Sequence, residues 1–213
     1  MSKEERPKVG RPATYTPDQV LDRLIGAAVD ILNEQAADAD FSVAQVAQRA
    51  RVSKRTVYTV ISSKEELIGH IIRRGARVAT TMLDLPVANA ADARVVLARF
   101  LEEWVNFACG PQAVGIYVMA IRERSRFPAI GEAYYLSRNE HGLKQVAAWL
   151  ERMCRKNFCP AQDPVMTADL ALTMAAAERQ RILALGIDEP SSPQQLKERI
   201  DAILQFVFRE PAA

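Results

Sequence analysis

Apolar positions along the chain recur at the spacing of one helix face. Ser, Thr or Asp residues open many of these runs, where a side-chain oxygen can satisfy the orphan backbone donors of a first turn. Thr16-Pro17-Asp18-Gln19 combines an N-cap, a proline at the first helical position and a reciprocal Gln. Val20, Leu21, Leu24, Ile25, Ala28, Ile31 and Leu32 follow, which predicts a helix from about Pro17 to Asn33. Ser42-Val43-Ala44-Gln45 repeats the capping pattern before a short run ending near Ala50. Ser53 caps another from Lys54 to about Val60, with three residues between the two. Ser63-Lys64-Glu65-Glu66 is a further capping box and puts two carboxylates at the positive end of a longer helix, Lys64 to about Leu83.

Beyond Pro86 the helices are longer and apolar on more than one side, as elements sandwiched in a bundle are. Leu97, Phe100, Leu101, Trp104, Val105 and Ala108 stripe a fifth helix that stops at Gly110-Pro111. A sixth runs from Pro111 to about Arg124, a seventh from Pro128 to about Lys156, and an eighth from the Asp163-Pro164 cap to Leu185. The last opens at Ser192-Pro193-Gln194-Gln195. No strand-like alternation, internal repeat or low-complexity segment interrupts the pattern. The expected fold is all-α with about nine helices: a flexible basic arm over residues 1–16, a three-helix head over 17–63 and a six-helix bundle over 64–213.

Composition narrows the class. With 213 residues and 49% hydrophobic content the chain can fill a sizeable core. No apolar run approaches the roughly 18 residues of a membrane span. The start MSKEERPKVGRP has no apolar stretch of the signal-peptide kind, so the expected location is the cytoplasm, with no membrane partner. Cys109, Cys154 and Cys159 are odd in number without paired short spacing, and are expected as free thiols rather than a disulfide framework or zinc site. His70 and His141 lack carboxylate or Cys partners at ligand spacing. With no glycine-rich phosphate loop or nucleophile elbow either, no enzyme activity, metal or cofactor is expected.

A net charge of +2 says little, because an electrostatic footprint depends on clustering. Locally, Arg49, Arg51, Lys54, Arg55 and Lys64 put +5 into one stretch that contains no Asp or Glu, and Lys3, Arg6, Lys8 and Arg11 outweigh Glu4 and Glu5 in the arm. Two short helices joined by a three-residue turn form a helix-turn-helix, whose second helix enters the major groove. Val43, Val46 and Ala47 with Val57, Val60 and Ile61 supply its inner face. Lys54, Arg55, Thr56, Tyr58 and Thr59 remain outward, with donors for guanine edges and phosphates and a Thr methyl for thymine. Lys64 and the first-turn amides of the next helix offer a further phosphate site. The competing interpretation is a solvated basic face on a small helical subdomain, with Tyr58 simply packed.

The segment RVSKRTVYTVISSKEELI resembles the TetR/AcrR signature: a turn, a short recognition helix with a Tyr near its end, and an S-K-E-x-L helix start in that order. The likeness covers roughly Gly10 to Ile72, the GRP arm included. Two positions depart from it. Arg51 stands where the family usually has Gly in the turn, so a positive φ there costs on the order of 1 kcal/mol or the chain needs a different turn. Ile61-Ser62 replaces an aromatic-Pro pair. The resemblance implies DNA contact at Lys54, Arg55, Thr56, Tyr58 and Lys64, with Arg11 reaching a neighbouring groove. Ser42, Ser53 and Thr59 complete the DNA-facing set.

The resemblance also implies a homodimer in which the last two helices of each subunit pair into a four-helix interface. Ala168, Ala171 and Ala175 on one helix and Ile200, Ile203, Leu204 and Val207 on the other are the candidate dimerisation residues, with ordinary intrachain packing as the alternative. Two-fold symmetry would set two heads roughly 34 Å apart on double-stranded operator DNA. Between the two ends, aromatic and flexible residues cluster as an apolar pocket for a small-molecule effector would require. The candidate lining is Trp104, Phe107, Tyr117, Met119, Arg122, Tyr134, Trp149, Met153 and Glu178, against the alternative of a filled core. AIRERSRFPAIGEAYY resembles the corresponding junction of AefR-like members. The expected function is a sequence-specific regulator, a repressor released from its operator by an effector. A helical ligand- or partner-binding protein whose head no longer reads DNA is the alternative.

Overall fold

The structure, a computed structural model, describes residues 15–35, 40–160, 163–187 and 192–209, and every regular element among them is helical. The head holds α1 (Pro17–Gln35), α2 (Val43–Ala50) and α3 (Lys54–Val57), and α4 (Lys64–Thr80) leads out of it. The bundle holds α5 (Ala90–Ala108), α6 (Pro111–Arg122), α7 (Pro128–Arg138), α8 (Lys144–Arg155), α9 (Pro164–Ala184) and α10 (Pro193–Val207). A π-helical segment, Asn139–Leu143, joins α7 to α8, so the single helix expected from Pro128 persists as one run with a local widening. Counting that run as one gives nine helices among the described residues.

The expected caps form. Thr16 and Gln19 bond reciprocally, Ser42 and Gln45 do the same, and the Asp163 carboxylate accepts from the amides of Val165 and Met166. One start was hidden in the pattern: Asn89 caps α5 by accepting from the Asp92 amide at 2.9 Å, well before the apolar stripe becomes obvious.

Arg51 adopts the left-handed conformation, φ 57 and ψ 42. The Val52 amide donates to the Ala47 carbonyl at 3.0 Å and the Arg51 amide to Gln48 at 3.1 Å, a doubled helix closure of the kind glycine usually permits. The turn therefore keeps its geometry and carries the strain. From α1, Arg23 donates through Nε and Nη2 to the Ala50 carbonyl at 3.2 and 3.0 Å and so fixes the end of α2. At the second departure, Ile61 is buried and Ser62 donates both its amide and its hydroxyl to Glu66 Oε2 at 2.6 Å. A proline at 62 would have no amide for this bond.

The expected helix from Lys54 to about Val60 is shorter than its pattern suggests. Regular α-helix ends at Val57, after which the Thr59 and Val60 amides bond the Thr56 and Val57 carbonyls in tighter turns. The β-branched run through Ile61 disfavours a longer helix, and the Thr59 hydroxyl takes the Thr56 carbonyl at 2.6 Å.

Two apolar cores result. The head core joins α1–α3 to Leu67, Ile68, Ile71 and Ile72 of α4, with Ile116 and Met119 of α6 and Ile130 of α7. The bundle core joins α5, α8, α9 and α10 around Phe100, Trp104 and Trp149, and takes Ala76 and Ala79 from the far half of α4. Each fully buried Leu or Ile contributes about 1.5–3 kcal/mol, so four aliphatic side chains bind α4 firmly to the head, while its far half meets the bundle through two small alanines. Phe107 packs against both cores. No single helix among the described residues is long and apolar enough to cross a membrane.

Candidate nucleic-acid interface and ligand cavity

Ser53 opens α3 by accepting from the Thr56 amide at 3.1 Å, which aims the following side chains away from the head core. Val57 is completely buried, whereas Lys54, Arg55, Tyr58 and Thr59 are exposed, Tyr58 to 61%. Neither Lys54 nor Arg55 forms an ion pair among the described residues. Two cations and a phenolic hydroxyl thus project from one short segment, the chemistry that phosphates and base edges accept. Arg51, in the preceding turn, is exposed beside them.

The basic stretch is less free than its count suggests. Arg49 forms a two-pronged pair with Glu34 of α1, both contacts at 2.8 Å. Lys64 bonds Asp40 and lies 5.0 Å from the centre of the Phe41 ring. Asp40 also meets Arg122 of α6 at 3.5 Å. Burial would raise the Asp40 carboxyl, but the Lys64 hydrogen bond and charge, the Phe41 amide and Arg122 together hold it below its ordinary value. Lys64 is therefore engaged before any phosphate arrives. The hydroxyls of the expected set are engaged as well: Ser42 and Ser53 cap helices, Thr56 bonds Ser53 at 2.8 Å, and Thr59 bonds its own backbone turn. Arg11 lies outside the described residues.

Between α4, α5, α6, α7 and α9 lies a cavity of about 70 Å³. Ile72, Ala76, Leu172 and Ala176 supply aliphatic walls, and Trp104, Phe107 and Tyr134 supply aromatic ones. Gln180 brings the polar element: its Oε1 accepts from the Tyr134 hydroxyl at 2.9 Å and its Nε2 donates to the Ala108 carbonyl at 2.6 Å. Trp104 and Phe107 meet edge to face, with ring centres 5.9 Å apart. Two glycines make room for these rings. A Cβ on Gly75 would lie 2.1 Å from Phe107, and one on Gly142, in the π-helical segment, 2.5 Å from Trp104. Phe107 also lines an open groove of about 400 Å³ between α1, α4 and α5, so one ring separates the cavity from that groove.

Of the expected lining, Trp104, Phe107 and Tyr134 meet at this cavity, and Tyr117 packs behind Tyr134 with ring centres 5.6 Å apart. Met119 is buried in the head core, and Trp149 and Met153 in the bundle core. The buried Trp149 Nε1 and His141 Nδ1 have no hydrogen-bond partner among the described residues. Arg122 reaches Asp40 and Glu123, and Glu178 pairs with Arg181 at the surface; neither lines the cavity. Helical spacing identifies which residues share a face and leaves open what that face meets. Gln180 escaped the sequence reading. Its signal was a lone amide one turn beyond Ala176 on an otherwise small-residue face.

The candidate interface residues are placed differently from expectation. Ala168, Ala171, Ala175, Ile200, Ile203, Leu204 and Val207 are all buried within one chain, in the core shared by α5, α9 and α10. The exposed large apolar side chains of these helices are Val165, Met166, Leu170 and Met174 on α9 and Phe206 on α10. Because α9 is apolar on opposite faces, its pattern alone does not say which one turns inward.

Solved structures share the fold of this chain at low sequence identity. A protein from Mesorhizobium loti MAFF303099, described as a TetR-family transcriptional regulator, superposes with a TM-score of 0.70 at 19% identity, covering 90% of this chain and 96% of that one. The flavonoid-responsive regulator FrrA gives 0.61 at 25% identity, covering 89% and 95%. RolR, solved in complex with resorcinol, gives 0.59 at 14% identity, covering 90% and 88%. No curated protein matches the chain. Residues 95–210, more than half of it, match the family model of the C-terminal domain of AefR-like transcriptional repressors. A helix-turn-helix head with exposed cations on its second helix, carried by a bundle of that family, places the chain among the TetR-family transcriptional regulators, with an AefR-like C-terminal domain.

Proposed function

We propose that this regulator is a homodimeric, cytoplasmic repressor that binds a palindrome-like operator through two copies of α3 and leaves it when a small molecule enters the cavity beside Phe107. The observation that carries the reading is the exposed Lys54, Arg55 and Tyr58 face on the second helix of an intact helix-turn-helix. The effector we infer is a compact apolar ring with at least one polar substituent. Trp104, Phe107 and Tyr134 offer ring contacts, and the Tyr134–Gln180 pair offers hydrogen bonding in an otherwise apolar space. The resorcinol complex of RolR and the flavonoid response of FrrA are properties of those proteins that lend this class support.

The testing experiment is fluorescence anisotropy with the intergenic DNA beside the protein's own gene and with unrelated DNA, over a range of salt. Tight binding to the first is expected, with affinity falling linearly on a log–log salt axis. Arg55→Ala should cost about 1–3 kcal/mol on the specific site and far less on unrelated DNA. Lys64→Ala should change the salt slope by less than the ~0.9 of a free phosphate contact, because Asp40 already holds that ammonium. No sequence-selective, salt-sensitive binding at any concentration would favour a head that has ceased to read DNA.

A further inference from the structure

Cys154 and Cys159 take no part in the head, the cavity or the exposed strip of α9. Cys154 lies in the last turn of α8, and Cys159 follows five residues on, past Asn157 in the left-handed conformation at φ 58. The Phe158 amide donates to the Met153 carbonyl at 2.9 Å and the Asn157 amide to Cys154 at 3.0 Å, the same doubled closure that ends α2. This closure folds the chain back over the helix end and brings the two sulfurs to 2.7 Å, both as free thiols. Each sulfur is held from a second side, Cys154 Sγ by the Pro160 carbonyl at 3.1 Å and Cys159 Sγ by the Leu150 carbonyl at 3.7 Å. The sequence spacing suggested independent thiols; the turn at Asn157 is what makes them a pair.

We propose that Cys154 and Cys159 form a reactive dithiol for two-electron oxidants of the peroxide class, and that it closes to an intrachain disulfide. Cys154, the more exposed of the two, attacks first. Its sulfur bonds one peroxide oxygen, the O–O bond breaks, and the departing hydroxide leaves as water with the thiol proton, giving the sulfenic acid. The Cys159 sulfur then attacks the Cys154 sulfur. The S–S bond forms, the S–O bond breaks, and the hydroxyl leaves as a second water with the Cys159 proton. Two thiols have lost two electrons and two protons, and the peroxide has been reduced to water. Cys159 does not start the reaction: burial and the hydrogen bond it shares with Cys154 push its thiol up to about 12, so it keeps its proton. Cys109 is an internal control. Its sulfur faces the Ala176 carbonyl at 3.8 Å, and burial pushes its thiol up to about 11. The product would fasten the end of α8 to the segment that leads into α9.

The experiment exposes the folded, full-length protein to graded hydrogen peroxide, then alkylates it in denaturant for intact mass and peptide mapping. Two of the three thiols should resist alkylation, the intact mass should fall by two hydrogens, and the linked peptide should join Cys154 to Cys159. Dithiothreitol should restore all three thiols. In Cys159→Ser the reaction should stop at a dimedone-reactive sulfenic acid on Cys154, and in Cys154→Ser residue Cys159 should stay unmodified at the same doses. Full alkylation of Cys154 and Cys159 after peroxide, earlier loss of Cys109, or a disulfide between chains would each overturn the proposal.

Discussion

Arg51 holds a backbone conformation that a side chain with a Cβ adopts only at a cost, about 1–2 kcal/mol for the left-handed region. Its side chain is exposed and the hydrogen bonds of the turn are backbone bonds, so glycine would retain every contact while removing that strain. Arg51→Gly should therefore stabilise the protein by roughly 1 kcal/mol, less the extra chain entropy of glycine, read as a higher denaturant midpoint at unchanged slope. An unchanged or lower midpoint would mean that Arg51 makes a compensating contact. His70 gives a second prediction at this scale. Burial, and then the charge of Arg73, hold its imidazole below the ordinary 6.5, against the opposing pull of Glu66 at 3.9 Å. The unfolded chain thus takes up this proton more readily than the folded one, so the contribution is full above about pH 6.5 and is lost as pH falls through the folded value. Glu66 acts in the same direction at lower pH. The Ser62 hydroxyl and amide lower its carboxyl from 4.5, so its contribution is present above that value and fades beneath it. The melting temperature should decline from pH 7 to pH 5, and His70→Gln should flatten that first decline while leaving the steeper loss below pH 4.5.

Among the elements, α4 shows how a helix can serve two cores and what makes the crossing possible. Gly75 stands where α4 passes from the head core to the bundle core, and the Phe107 ring lies against its bare backbone. Gly75→Ala should cost about 1–3 kcal/mol through overpacking. In a Phe107→Ala background the same change should turn neutral or stabilising by up to about 1 kcal/mol, because only the helix preference for alanine remains. Denaturant midpoints of the four proteins decide this; equal costs in both backgrounds would show that the ring yields freely. Gly75 and Gly142 also mark what was legible in the sequence. A glycine inside a helical pattern signals close approach, while its partner, here Phe107 or Trp104, lies too far along the chain to be read. The helix starts were legible for the opposite reason, since Ser42, Ser53, Ser63, Asp163 and Ser192 bond amides within three residues of themselves. The freedom of Arg49 and Lys64 was not, because Glu34 and Asp40 reach them from 15 and 24 residues away. Nor was the inward face of α9, whose apolar residues surround it.

For the whole molecule, reading a two-fold operator requires that the heads be linked in pairs, and the exposed strip of α9 and α10 is where the proposed dimer would form. Leu170 and Phe206 are 39% and 43% exposed in the single chain, so charging both should leave each subunit folded. Burying two carboxylates in an apolar four-helix interface should instead weaken association by roughly 100-fold or more, as loss of central apolar anchors does. Sedimentation equilibrium of Leu170→Glu/Phe206→Glu should then report a monomer with an intact helical circular-dichroism spectrum and near-native melting. Ala171→Glu and Ile203→Glu, at positions only 1% and 2% exposed, should unfold the bundle rather than divide it. The same double variant bears on operator binding. In a dimer the second head binds at the high effective concentration set by the first, so loss of pairing should weaken operator affinity far more than affinity for a half-site. A dimer that survives the double substitution with unchanged operator affinity would move the interface off this strip. A monomer that still binds the full operator as tightly would separate dimerisation from DNA recognition altogether.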